Sequence, residues 1–135
     1  MGSWGARAFD NDDAVDFVAT LRTNGSGVLL NAINEVADLT SEEYLEAPSA
    51  SRAVAAAEVV AAMVGSPARD LPSEVVEWVS TAPAPDPSLR ASVKAALQRV
   101  VADSELAELW AESGDDSWSE QQADLLERVS GTGST

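Results

Sequence analysis

The chain has 135 residues with 23 acidic against 8 basic side chains, a formal net charge of −15, and neither His nor Cys. Composition alone therefore excludes a thiol nucleophile, a Ser-His-Asp triad, an imidazole base and a zinc site of Cys/His type. So negative a surface repels phosphate backbones and anionic lipid, so neither nucleic acid nor a membrane is an expected partner.

Helical periodicity dominates the chain, and an alanine-rich composition pushes propensity the same way. The first helix is expected from Asn11 to Arg22, with Asp10 as its cap and Asp12 and Asp13 in the first turn, where carboxylates favour the positive helix end. Ala14, Phe17, Val18 and Leu21 form its apolar face, and Asn24-Gly25 ends it. A second helix, Ser26 to Leu39, is expected to bury Val28, Leu29, Ile33, Val36 and Ala37. Thr40-Ser41-Glu42-Glu43 reads as a turn that carries Tyr44 and Leu45 toward the core.

The longest helix, Pro48 to Val64, is apolar around nearly its whole circumference from Ala53 onward. A helix of that kind is surrounded by others, which places it at the centre of a bundle. Pro72 is expected in the first turn of a short helix through Val75, Val76, Trp78 and Val79. The alternating prolines Pro83, Pro85 and Pro87 favour a stiff, extended connector. Next come a helix from Ser88 to Ala102, a short one capped by Ser104 with Leu106, Leu109 and Trp110 inward, and a last one capped by Ser119 that uses Gln122, Leu125, Leu126 and Val129. No strand and no solenoid repeat is evident. The reading is all-α: one compact domain over residues 1–130, six or seven helices around an Ala/Val-rich centre, with 131–135 a disordered tail.

Two features exceed what folding alone demands. The opening Trp4-Gly5-x-x-x-Phe9-Asp10-Asn11-Asp12-Asp13-x-x-Asp16 pairs an aromatic-glycine turn with clustered acids. On a helix Asp12 and Asp16 share a face, as do Asp13 and Asp16, and like charges so placed repel by a few tenths of a kcal/mol. The helix dipole offsets that repulsion, or a hard cation held by Asp12, Asp13 and Asp16 relieves it. The EF-hand pattern fails, because Ala14 and Val15 stand where a ligand and a glycine are needed. Glu58 is the second feature. It shares a helix face with Val54, Ala61 and Ala62, and a buried carboxylate must find donors: an Arg, an indole N–H or loop amides. The structural expectation is that Glu58 fastens the Trp4–Asn11 segment or another loop to the central helix; the chemical one is a general acid or base. Trp4, Trp78, Trp110 and Trp118 read as core and loop anchors, and Arg90 and Lys94 as surface partners of Glu105 and Glu108.

The opening motif from Met1 to Phe17 resembles that of an uncharacterised bacterial family, domain-of-unknown-function family 4259. The runs Ala55-Ala56-Ala57-Glu58-Val59-Val60-Ala61-Ala62, Leu71-Pro72 with Trp78, and Ala95-Ala96-Leu97-x-Arg99-Val100 continue the likeness, and Ser104-Glu105-Leu106-x-Glu108-Leu109-Trp110 with the final Trp118, Leu125 and Leu126 completes it. The resemblance covers Trp4 to about Val129 and implies that Met1-Gly2-Ser3 is native, but it brings no activity, because the family has none established.

The first twenty residues hold no apolar run of signal-peptide length, and no stretch approaches the roughly 18 apolar residues of a membrane span. A cytoplasmic protein is expected. Its function is read first as a non-enzymatic interaction module that binds a basic partner, in an immunity or adaptor role and without a cofactor. The alternative is a carboxylate-based metal-binding protein or enzyme. It would use Asp10, Asp12, Asp13, Asp16 and Glu58, and it requires them to converge in space.

Overall fold

A computed structural model describes residues 12–25, 27–40, 42–65, 71–82, 87–114 and 116–130. They form seven helices: α1 (Asp12–Asn24), α2 (Gly27–Ala37), α3 (Ala47–Met63), α4 (Ser73–Thr81), α5 (Pro87–Ala102), α6 (Glu105–Ser113) and α7 (Ser117–Ser130). There is no strand among the described residues. The expected tail at 131–135 lies outside them.

The helix α3 packs against each of the other six. From Ala50 to Ala62 every side chain except Arg52 is buried. Such a position demands small side chains, because the distance between helix axes depends on the residues at the contact. The run Ala53-Val54-Ala55-Ala56-Ala57 supplies them and is buried on all sides. Around it the larger side chains of the outer helices, including Leu21, Leu29, Ile33, Leu97 and Leu125, complete a single core.

Where the elements depart from sequence expectation, local chemistry gives the reason. Gly114 adopts φ 75° and closes α6, and the carbonyl of Asp116 already accepts the Glu120 N–H at 3.2 Å. Helix α7 thus starts ahead of Ser119, which lies within it rather than capping it. Pro72 sits just before α4, not within its first turn, and its carbonyl accepts from Val75 and Val76. Pro87 does open α5. On α2 it is Ala32, not Ala37, that turns inward, and Val28 is only half-buried.

The segment between α2 and α3 is held by side chains from distant elements. Arg99 of α5 donates from Nη1 to the Thr40 carbonyl at 2.9 Å and from Nη2 to that of Glu43. Leu45 is buried, as expected, and its carbonyl accepts the Glu105 N–H at 2.8 Å. Tyr44 is not carried into the core. It stands 54% exposed, with its hydroxyl donating to Glu108 Oε1 at 3.1 Å.

The first turn of α3 has no cap of its own, for Glu46 makes no side-chain bond there. Glu105 fills that role from α6: its Oε1 accepts the Ala47 N–H at 2.8 Å. A carboxylate at that end satisfies an orphan donor and meets the positive end of the helix dipole. Glu105→Ala is therefore expected to lower stability by about 1–2 kcal/mol, read as a fall in the urea midpoint at unchanged slope. A loss equal to that of an exposed control, Glu112→Ala on the same helix, would show that the cap contributes nothing.

Candidate functional site

Asp12 and Asp13 occupy the first turn of α1. Asp12 and Asp16 are exposed, and Asp13 is half-buried. Trp4, Gly5, Phe9, Asp10 and Asn11 lie outside the described residues. Asp16 borders an open groove of about 680 Å³ between α1, α2 and the start of α3, with Phe17, Asn31, Glu35 and Arg52 on its other walls. Arg52 Nη2 lies 3.0 Å from Glu35 Oε2, and Ser49 Oγ donates to the same oxygen at 2.9 Å. Both charged partners are partly solvated, so this contact adds little stability.

Glu58 does not line that groove. It faces α7, where Arg128 grips it with two parallel bonds, Nη1 to Oε1 at 2.9 Å and Nη2 to Oε2 at 3.0 Å. The fork of the guanidinium matches the carboxylate in plane and spacing. Asp124, one turn earlier, takes Arg128 Nε at 2.8 Å. Burial works against the Arg128 charge, but the bonds and charges of Glu58 and Asp124 outweigh it and hold the pKa above the ordinary arginine value. Among the described residues, what Glu58 fastens is a helix, and the Trp4–Asn11 segment expected there lies outside them. Both Glu58 oxygens are engaged, which leaves it poorly placed to take a proton from a substrate.

Of the carboxylates expected to converge, Asp10 lies outside the described residues, and the others sit in different surroundings. Asp12 and Asp16 lie on the exposed side of α1, and Glu58 lies in the α3–α7 interface. Among the described residues no group of three or more acids is disposed to hold a metal ion. Arg90 also departs from expectation. It lies on the side of α5 that meets α7 and donates from Nη2 to the Val129 carbonyl at 3.2 Å. Glu105 and Glu108, its expected partners with Lys94, are bonded to Ala47 and Tyr44 instead.

That last pairing has a measurable signature. Loss of water around the phenol, its bond to Glu108 and the charges of Glu108, Glu105 and Glu46 push the Tyr44 pKa up to about 12. Its folded pKa lies above the unfolded one, so any stability it contributes is intact below about pH 10 and is lost as pH climbs from there toward about 12. Tyr44 is the single tyrosine, so ultraviolet titration of the phenolate reads it directly. The midpoint is expected above the ordinary tyrosine value, and Glu108→Gln is expected to bring it back down. A midpoint that Glu108→Gln leaves in place would show that Glu108 is not its cause.

With the geometry in place, comparison with known proteins is informative in one respect. The family model described as a domain of unknown function, DUF4259, matches residues 2–121. The chain belongs to the DUF4259 family. No curated protein and no solved structure matches it. The DUF4259 match takes in Glu58 and the cap formed by Glu105, and it stops short of Arg128. The buried pair thus joins a residue inside the family match to one beyond it, at a separation of 70 residues.

Proposed function

We propose that this DUF4259 protein is an interaction module that binds a basic protein partner through its acidic surface. The observation that carries the reading is how its few cations are used. Arg52 and Arg128 pair with Glu35 and Glu58, and Arg90 and Arg99 donate to backbone carbonyls, so these four face inward on the protein's own groups. Exposed carboxylates on α1, α2, α4, α6 and α7, among them Asp16, Glu35, Glu74, Glu108, Glu120 and Glu127, together with Asp103 just beyond the end of α5, give the described surface an excess of negative charge. Fields of that strength speed association with basic partners and discourage anionic ones.

The same reading places the protein in a bacterial cytoplasm, in an immunity or adaptor role. No helix of the described residues is long and apolar enough to cross a membrane. The test is affinity capture from the native host at low salt, followed by reconstitution with the recovered protein. A basic partner is expected, with an association rate that falls steeply as ionic strength rises. Recovery of no partner at low salt, or of one whose association rate ignores salt, would overturn the reading.

A further inference from the structure

Helix α7 packs on α3 and α5, and the turn at Gly114 joins it to α6. Its buried stripe is Trp118, Gln122, Leu125 and Val129, whose helical spacing puts them on one face. The buried stripe of α5 is Val93, Ala96, Leu97 and Val100, apolar throughout. In α7 an amide takes the second place. Gln122 is only 2% exposed, and its Oε1 has no hydrogen-bond partner among the described residues. An acceptor buried in that way forgoes the bonds that water gave it in the unfolded chain, and so weakens the contact it sits in. Ser104, also buried, shows the contrast: its Oγ donates to the Val100 carbonyl at 2.6 Å and accepts the Ala107 N–H.

The same interface holds Glu58, the one buried charged side chain among the described residues, paired with Arg128. The attraction of that pair is largely offset by the water both ions give up. Opening α7 would return water to Glu58 and Arg128 and supply Gln122 Oε1 with donors. Trp118, Leu125 and Val129 favour docking, therefore, while the polar groups beside them oppose it. We infer that α7 is a strap, which lifts off α3 and α5 as one unit while those two helices stay folded together. Gly114, at φ 75°, is the natural hinge, since a residue without a Cβ takes up backbone rotation with least strain. Cooperative units that open below the global unfolding limit are where proteins place their moving elements. The lifted state bares the Glu58 carboxylate and frees Arg128, two groups that the closed state withholds from any other partner.

The test is native-state hydrogen exchange of the full chain, read by nuclear magnetic resonance at rising urea concentrations below the unfolding transition. The amides of Asp124, Leu125 and Leu126 in α7 are expected to exchange through one common opening. They should do so about tenfold or more faster than those of Val59 and Val60 in α3 or Ala96 and Leu97 in α5, and with a shallower urea dependence. Exchange of all these amides at one rate and one urea slope would overturn the strap. So would fast exchange confined to the last turn of α7, which is fraying. Gln122→Met keeps the length of the side chain and removes the orphan acceptor. It is expected to slow the α7 amides by about fivefold or more. The exposed control on the same helix, Ala123→Leu, is expected to change them by less than about twofold. If Gln122→Met leaves their exchange unchanged, or if the two variants slow it equally, the buried amide does not loosen α7 and the strap is rejected.

Discussion

Replacing Arg128 by methionine is expected to lower the stability of this protein by about 3–5 kcal/mol, because it leaves the Glu58 carboxylate buried without a counter-charge. Glu58 is only 4% exposed, and both bonds that the structure gives its oxygens come from Arg128. For a chain of this length such a loss is a fall in melting temperature of roughly 10–20 °C. The bond of Arg128 to Asp124 matters much less, since Asp124 is largely exposed and water replaces the lost bond. Asp124→Asn is accordingly expected to change stability by less than about 1 kcal/mol.

The companion variant separates the worth of the pair from the cost of breaking it. Glu58→Met together with Arg128→Met removes both charges and keeps apolar volume between α3 and α7. Desolvation of two ions offsets most of what their attraction provides, so the double variant is expected to recover the greater part of the loss and to approach the parent protein. Differential scanning calorimetry on the single and double variants decides the matter. If Arg128→Met costs less than about 1 kcal/mol, the carboxylate is not held as the structure shows. If the double variant is as unstable as the single, the interface needs the ions themselves and not merely their mutual neutralisation.

How this pair escapes a reading of the sequence is instructive. The demand was visible: Glu58 stands on a helix otherwise apolar all round, so it needed donors. Its supplier was not, because a helix 70 residues away carries an ordinary-looking Arg in its last turn, already one turn from Asp124. Local spacing favours that exposed pair and says nothing of the buried one. The helices themselves were legible since their signals are local. Period, proline and glycine punctuation and the Ser104 cap, whose Oγ accepts the Ala107 N–H at 3.0 Å, all act within a few residues. The cap of α3 was illegible for the opposite reason, as its carboxylate comes from Glu105, 58 residues away. Likewise an exposed aromatic such as Tyr44 and a buried one look alike in sequence until the carboxylate that holds the hydroxyl outward is known.

The central position of α3 makes a prediction that a helix with one buried face would not. Successive residues on an α-helix point about 100° apart, so Ala55, Ala56 and Ala57 face three different directions. On a one-sided helix at least one of them would look toward solvent and accept a larger side chain freely. Here all three are fully buried. Ala55→Leu, Ala56→Leu and Ala57→Leu are therefore each expected to destabilise, by about 1–3 kcal/mol, because extra methylenes in a packed interior force side chains off their rotamers or helices apart. The exposed control Ala95→Leu on α5 is expected to stay within about 0.5 kcal/mol of the parent. Urea midpoints supply the comparison. A neutral result at any one of the three positions would mean that α3 has an open side and that the bundle is arranged differently from the one described. If all three destabilise, the alanines are required for their size as much as for their helix propensity: a valine or leucine stripe could bury one face, but only side chains this small let α3 contact six helices at once.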